Sequence, residues 1–327
     1  MAGETSTSLT DLVKTGYDRA CYFALRPELK FALSAATRRR PMNITNPGTT
    51  ITWTGYDDLA VATTPLTETS DVTPVAPTTS TKTITLTEYG NAAKSTSKLR
   101  GASFLDMPAV DPALADLIGY NAGLTYDTLA RTALVAGTNV RYAGSTSRTT
   151  IAAGDTLTGA EIKRAVAKLR GASARPFMDM GVGDSFAGFI HPDVAYDLFA
   201  ETGESAWNQP ANYSDAGRRW TGQLGRYHGV MFIESPRAPV FADASDGAGS
   251  TGTVDVYATL LVGREALSIA WSDVEHSAEP TFVVGPIVDS LKRFHTVGWK
   301  WFGGFGRFRD SEELWRIESS SSIGTNT

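Results

Sequence analysis

Cysteine is almost absent from this chain of 327 residues, which has one, Cys21. A single thiol can form neither an intrachain disulfide nor a cysteine-based metal cluster. No uninterrupted apolar run approaches the ~20 residues that a membrane-spanning helix needs. The first residues, 1–5, form no basic region and lead into no apolar one, so the sequence predicts no signal peptide. We therefore expect a soluble protein that is made in a reducing compartment and has no membrane partner.

Motifs for catalysis and for cofactor binding are also absent. The chain has no P-loop, no G-x-S-x-G and no H-E-x-x-H, and the nearest dinucleotide fingerprint, Gly181-Val-Gly183, has Phe186 where the third glycine should stand. The four histidines lie in different local contexts, and His191 is read as the first residue of a helix. We expect no cofactor, no metal site and no catalytic residue. An enzyme with dispersed catalytic residues remains the alternative, because such residues meet only in space.

Neither sign of charge dominates the chain. Thirty basic residues stand against 35 acidic ones, which gives a net charge of −5. Proteins that bind nucleic acid by releasing counterions are usually basic. We therefore expect contact with nucleic acid to be weak and non-specific. The hydrophobic content of 42% is ordinary for a globular protein, and the length allows a large core and two domains.

The most informative segment of the sequence runs from residue 49 to 87. Threonine is its commonest residue, three prolines interrupt it, and Lys82 is the only basic side chain between Arg40 and Lys94. Apolar and hydroxylated residues alternate in 51–54 and again in 83–87, which predicts two half-buried strands. An isolated two-stranded ribbon is marginal in water, so we expect this hairpin to pack on something outside its own domain, such as another copy.

Helical patterns precede and follow that hairpin. Apolar spacing predicts a helix in 12–25 and a second one in 28–40, which would place Arg38-Arg39-Arg40 at a helix end. Contact of this triplet with phosphate or with an acidic neighbour is the alternative interpretation. The longest pattern opens at Asp111-Pro112, a favoured helix start, and ends at Gly137, so it predicts a helix of roughly 39 Å.

The C-terminal half mixes helices and strands, which makes the fold class α+β with a mixed sheet. Residues 158–161 predict a capped helix, 186–190 a buried strand and 225–233 another strand. In 291–309 aromatic and basic residues interleave, a pattern found in platforms that stack single-stranded nucleic acid. Ordinary core patterning of a strand is favoured instead, because the alternate residues His295, Val297, Trp299 and Trp301 would share one face.

The order of these parts resembles the major capsid proteins of tailed bacteriophages, whose fold is shared with encapsulin shells. Residues 86–93, 189–193, 229–234 and 298–302 resemble in particular the coat protein of the N-four-like podoviruses, and the likeness spans most of residues 10–318. It implies an N-terminal arm (1–45), an extended loop (46–100), a peripheral domain (101–175 and 276–318) with a spine helix (108–136), an axial domain (176–275) and a flexible tail (319–327).

The resemblance also implies a function and partners. The chain would be a structural protein, not an enzyme, that assembles into pentamers and hexamers of an icosahedral head around double-stranded DNA. It would be located in the virion and assembled in the host cytoplasm, with portal and scaffolding proteins as partners and a decoration protein as an optional one. An encapsulin-like shell is the nearest alternative.

The extended loop would contact a neighbouring subunit. The candidate contact residues on the loop are Trp53, Tyr56, Asp57, Asp58, Glu68 and Asp71. Because the loop is acidic, we expect its docking site to be basic. The candidate residues for that site are Arg218, Arg219, Lys292, Arg293, Arg307 and Arg309.

Overall fold

The computed structural model describes residues 30–32, 37–42, 48–66, 68–69, 71–102, 107–177, 184–201, 223–245, 254–272, 278–284, 291 and 293–323. Several expectations lie outside these residues. They concern the helix in 12–25 with Cys21, most of the N-terminal arm, Arg218, Arg219, Lys292 and the last residues of the tail.

The described chain is an α+β fold, as predicted from the sequence. Its strands are β1 (Thr37–Met42), β2 (Thr50–Tyr56), β3 (Thr79–Thr85), β4 (Thr87–Thr96), β5 (Val140–Tyr142), β6 (Phe186–Ile190), β7 (Gln223–Tyr227), β8 (Val230–Glu234), β9 (Val240–Ser245), β10 (Val254–Val262), β11 (Leu267–Ser272), β12 (Thr281–Val284), β13 (Phe294–Arg307) and β14 (Leu314–Ser319). Its helices are α1 (Ser97–Ala102), α2 (Met107–Val135), α3 (Gly159–Gly171), α4 (Pro192–Ala200) and α5 (Asp310–Glu313).

The strands form three sheets. A seven-stranded sheet has the order β5-β14-β10-β6-β8-β7, with β9 paired to β10. A five-stranded sheet has the order β1-β11-β13-β12, with β4 paired to β13, and β2 and β3 pair alone. Parallel pairs such as β6–β8 occur beside antiparallel ones such as β10–β14, so the mixed sheet expected from the sequence is present.

Helix α3 shows how the larger core is built. Its apolar residues Ile162, Ala165, Val166 and Leu169 follow the spacing of one helix face and are all buried. They belong to a cluster with Phe186 and other residues of β6, β8 and β10. The strand predicted in 186–190 is β6, and all five of its residues are buried.

The chain divides into two compact units. The described part of one comes from Gly90–Ala122 and Phe282–Lys300, and that of the other from Pro27–Tyr89, Gly123–Thr281 and Trp301–Thr327. In the first unit, Asn121 accepts hydrogen bonds from Trp299 Nε1 (3.0 Å) and from the amide of Asn91 (3.2 Å). The second unit contains the three clusters of buried apolar residues.

The predicted long helix is present as α2, but its start differs from the prediction. It begins at Met107, so Asp111 lies inside the helix and does not cap it. Asp127, in the C-terminal half of α2, is buried and accepts a 2.7 Å hydrogen bond from the backbone N–H of Phe31. Burial raises the pKa of the Asp127 carboxyl above its usual 3.8, although this hydrogen bond and Arg237 oppose the shift.

The helix predicted in 28–40 is wrong for the described part of that segment. Residues 37–42 form β1, which pairs in parallel with β11 in the register Thr37↔Leu267 to Met42↔Ser272. Arg38, Arg39 and Arg40 therefore lie in a strand and not at a helix end. Phe31 is 1% exposed and packs on Phe189 at 4.8 Å between ring centroids, outside any helix.

The serine-rich end of the chain is more ordered than the tail predicted from residue 319. Ser319, Ser320 and Ser321 are buried, and the backbone N–H of Ser322 donates a 2.9 Å hydrogen bond to the carboxylate of Asp197 on α4. These contacts tie residues up to 322 to the second unit. The tail prediction therefore starts too early.

Glu318 on β14 is fully buried between two guanidinium groups. It accepts two hydrogen bonds of 2.7 Å from Nε and NH2 of Arg148, and Nε of Arg316 lies 2.7 Å from the same carboxylate. Hydrogen bonding to Glu318 raises the pKa of Arg148, whereas burial lowers that of Arg316. Arg316 also donates to the carbonyl of Val135, the last residue of α2. The cluster of Glu318, Arg148 and Arg316 therefore joins β14, the 148–150 turn and the end of the long helix.

Candidate assembly surface

The Thr-rich segment that the sequence predicts to form a β-hairpin does so in the structure. β2 and β3 pair antiparallel from Thr50↔Thr85 to Tyr56↔Thr79, and the N–H of Asp57 donates a 3.0 Å hydrogen bond to the carbonyl of Thr78. We call the paired strands the hairpin base and residues 57–78 the hairpin tip. The two parts differ in burial, and this difference decides which of them is available to another molecule.

The hairpin base buries its apolar face within its own chain. Ile51, Trp53, Ile84 and Leu86 are between 4% and 7% exposed and form a cluster with Ala270. Their inward side chains alternate with exposed threonines, as the sequence pattern predicts. The expectation that the hairpin packs only outside its own domain is therefore wrong for the base. Trp53, a predicted intersubunit contact, packs on Phe308 of the same chain at 6.0 Å between ring centroids, so little of its side chain is accessible to a second copy.

Glycines of β13 allow the hairpin base to lie directly on the five-stranded sheet. A Cβ atom on Gly304 would lie 2.5 Å from the carbonyl oxygen of Thr85, and one on Gly306 would lie 2.6 Å from Cγ1 of Ile84. Both distances are shorter than any normal contact. A glycine inside a strand often marks such a close approach of another backbone.

We expect Gly304→Ala to destabilise the chain by about 1–3 kcal/mol, the usual cost of forcing extra volume into a packed site. The backbone of β3 would have to move away from β13 to admit the methyl group. Gly101→Ala is the matched control, because a Cβ atom there has no neighbour within 4 Å and alanine favours the α1 helix. Denaturant unfolding of both variants measures the effect. Equal stability of the two would show that β3 does not lie against β13.

The hairpin tip is exposed along its whole described length. Its apolar side chains are accessible, and Tyr56 at the edge of the base is 80% exposed. The exposed large apolar residues of the tip are Leu59, Val61, Leu66, Val72 and Val75. A monomeric protein rarely exposes so many apolar side chains on one segment, and such surfaces usually bind another protein.

The four acidic candidates are also placed on this accessible surface. Asp57, Asp58, Glu68 and Asp71 are all exposed, and no basic residue occurs between 41 and 81. The carboxylate of Asp71 accepts a 2.8 Å hydrogen bond from the N–H of Val72, a local turn contact. The tip thus combines negative charge with apolar area.

An ion cluster stands beside the hairpin base. Nζ of Lys82 on β3 lies 3.0 Å from Oδ1 of Asp310, and NH1 of Arg307 lies 3.1 Å from Oδ2 of the same carboxylate. Arg307 also donates to the carbonyl of Ala136, just after α2. Asp310 is 8% exposed, so the shared carboxylate is buried while both cations remain partly accessible.

The candidate basic residues are only partly brought together. Arg307 belongs to the ion cluster, and Arg309 pairs with Glu312 at 2.6 Å. Arg293 belongs to the other unit, where its guanidinium lies 5.3 Å from the ring centre of Phe294. Of the described candidates, Arg307 lies beside the hairpin base, on the carboxylate that Lys82 also contacts. Asp310 was missed because a lone Asp gives no sequence signal, whereas the glycines of β13 could have indicated the site of the hairpin.

His191 and Asp193 make local contacts at the start of α4. His191 accepts a 3.3 Å hydrogen bond from the N–H of Asp193 and so caps α4, as predicted, and burial lowers its pKa. Tyr257 donates a 3.0 Å hydrogen bond to Asp193, and burial followed by this bond raises the tyrosine pKa. Within the described ranges, no three His, Cys, Asp or Glu side chains are grouped to hold a metal ion.

The aromatic and basic segment is a core strand, as favoured from its alternation. Trp299 and Trp301 on β13 are 5% and 1% exposed, so neither offers a ring face to a nucleic-acid base. Trp301 contacts Tyr89, Tyr126 and Phe305 at 5.3–5.8 Å between ring centroids. No helix in the described part of the chain has the length and hydropathy to cross a membrane.

Comparison with known proteins relates this fold to virus heads. A family model described as phage capsid protein matches residues 6–318. The chain is similar to the capsid of Ralstonia phage GP4, with a TM-score of 0.72, 14% sequence identity and 97% of both chains covered. It is similar to the capsid of cyanophage Pam1, with a TM-score of 0.69, 16% sequence identity, and 96% of this chain and 98% of that chain covered. It is also similar to the head of Helicobacter pylori bacteriophage KHP40, with a TM-score of 0.63, 13% sequence identity and 98% of both chains covered. No curated protein sequence matches.

Proposed function

The chain belongs to the phage capsid protein family, and we propose that its copies assemble through the hairpin tip into the hexamers and pentamers of an icosahedral head. It is a structural protein of the virion, not an enzyme. The family match over residues 6–318 carries this conclusion, and it favours a phage head over the encapsulin-like shell that the sequence left open.

The exposed tip supports the proposed mode of assembly. Its apolar residues are accessible in a single chain, although the base of the same hairpin is buried. A neighbouring copy would cover that apolar area, and the acidic residues of the tip would orient it. Tyr56, Asp57, Asp58, Glu68 and Asp71 are the proposed contacts, and the largely covered Trp53 would contribute less.

The remaining expectations are part of the same proposal. Residues 1–45 would act as an arm, 46–100 as the extended loop, 101–175 and 276–318 as the peripheral domain with α2 as its spine, and 176–275 as the axial domain. Portal and scaffolding proteins would direct assembly in the host cytoplasm, and a decoration protein would bind some shells. The net charge of −5 suits an inner wall that contacts packaged DNA weakly.

Assembly can be tested on the purified chain, produced alone and with the scaffolding protein of its phage. We expect negative-stain electron microscopy to show closed shells of uniform diameter in at least one of the two preparations. The protein at low concentration and high salt is the control, where exposed charge contacts are screened. Discrete small particles under every condition would contradict the proposed function.

A further inference from the structure

A cavity of about 310 Å³ opens beside the hairpin base in the second unit. Lys82, Arg307 and Asp310 form its charged side, and Phe305 with Ala133 and Ala136 supplies apolar surface. Thr83 and Gly306 complete the lining. We call this cavity the socket. It is large enough for one or two side chains and contains both charged and apolar surface.

The socket has an excess of positive charge. Two cations share the single carboxylate of Asp310, which leaves a net charge of +1, and the adjacent Arg309 and Glu312 neutralise each other. The ammonium of Lys82 has three N–H donors, of which Asp310 accepts one, and its side chain is 49% exposed. A second carboxylate entering the socket would therefore find both a donor and an unbalanced charge.

The hairpin tip has the complementary chemistry. Asp57 and Asp58 stand between Tyr56 and Leu59, so two carboxylates are flanked by two exposed apolar side chains, 80% and 60% accessible. We propose that the 56–59 segment of one copy inserts into the socket of a neighbouring copy, with Asp57 or Asp58 paired to Lys82 and Arg307 and an apolar neighbour placed on Phe305. The proposal rests on the assembly function given above and names its contact site.

A hairpin cannot fill its own socket in this way. Lys82 is paired with Trp53 in the register of β2 and β3. Asp58 lies five residues after Trp53, and at ~3.3 Å per extended residue it is about 17 Å from that pair. The tip leads away from the socket of its own chain. Because each copy has one tip and one socket at different places on its surface, the contact is heterologous, which is the kind of contact that forms rings such as hexamers and pentamers when the rotation between copies closes.

Disulfide trapping tests the contact in assembled particles. The chain variant Cys21→Ser, Asp58→Cys, Thr83→Cys removes the single native thiol and places one thiol on the tip and one at the socket. Within one hairpin these two positions are about 20 Å apart, beyond the ~7 Å between Cα atoms that a disulfide tolerates. We expect oxidised shells to give a ladder of covalent oligomers in denaturing gels, which a reductant removes.

A second double-cysteine variant is the control for non-specific cross-linking. Cys21→Ser, Asp58→Cys, Thr149→Cys places the second thiol at an exposed turn far from the socket in sequence, and we expect monomers. Complete shells of the socket pair that stay monomeric on oxidation would overturn the socket proposal and leave the assembly function intact. Failure of the wild-type chain to form shells would instead overturn the assembly function.

A charge exchange decides the question if the double-cysteine chain does not assemble. We expect Arg307→Glu to lower the yield of shells about ten-fold, within the range of charge pairs across interfaces. Asp58→Lys in the same chain should restore most of that yield, because the pair is re-formed with reversed signs. Circular dichroism of the unassembled variants checks their folding. A folded double variant that assembles no better than Arg307→Glu would overturn the proposal, since a purely structural role of Arg307 cannot be rescued from Asp58.

Discussion

Replacing residues 58–77 by Asn-Gly is expected to leave a folded, soluble chain that forms no closed shells. The N–H of Asp57 already bonds to the carbonyl of Thr78, so a two-residue turn can join them without moving the strands. Every described residue of the deleted segment is exposed, and the buried base with Trp53 and Ile84 stays intact. The shortened chain therefore loses the surface offered to a neighbour and little of its own core.

Two measurements test the stability and the assembly of the shortened chain. Denaturant unfolding should give a free energy within about 1 kcal/mol of the parent, since surface changes away from the core rarely cost more. Electron microscopy should show no closed particles at concentrations where the parent assembles. The control changes Thr63 and Thr64 in the tip to serine, which keeps the length, charge and apolar residues, and it should assemble normally. Normal shells from the shortened chain would remove the tip from the assembly contact.

Glu318→Gln is expected to lower the free energy of unfolding by about 3–5 kcal/mol, the usual effect of removing one partner from a buried ion cluster. The loss is large because Arg148 and Arg316 would be left with their charge unbalanced next to a 0% exposed position. The neutral amide also donates hydrogen, which two guanidinium groups cannot accept. We expect a fall of the unfolding midpoint in denaturant with little change in slope.

The same substitution at Glu312 is the matched control. Glu312 pairs with Arg309 in solvent, with side chains 39% and 42% exposed, so Glu312→Gln should change stability by less than about 1 kcal/mol. If both variants lost the same small free energy of unfolding, the buried cluster would contribute no more to stability than a surface ion pair. Replacement of Glu318, Arg148 and Arg316 together by apolar residues should be less harmful than Glu318→Gln alone, because no charge is then left without a partner.

Local patterns in the sequence predicted the elements that are built from their own periodicity. The alternation in β2 and the alternate tryptophans of β13 each predict one buried face, and the structure has those faces. The apolar spacing in α2 predicted the helix correctly, but its face is only partly buried, since Ile118 and Leu134 are covered and Leu117 is 49% exposed. Asp111-Pro112 misplaced the start of α2, because the helix begins four residues earlier, at Met107, where the sequence has no Asp-Pro pair.

Elements that depend on distant partners could not be predicted. The three arginines of β1 suit a helix as well as a strand, and their structure is decided by pairing with β11, far along the chain. Trp53 illustrates the same limit at the assembly surface. Alternation shows that one face of β2 is covered, but it does not show that Phe308 of the same chain covers it.

Strand β1 has features that prevent a self-associating protein from pairing with other copies along the edge of its sheet. Among the described residues it ends the five-stranded sheet, where unpaired backbone groups could add a further strand and continue into fibres. Its sequence, Thr-Arg-Arg-Arg-Pro-Met, opposes this, because Pro41 has no N–H to donate and three like charges repel the same strand of a second copy. Edge-to-edge growth into open fibres is thereby discouraged, which favours assembly into closed shells.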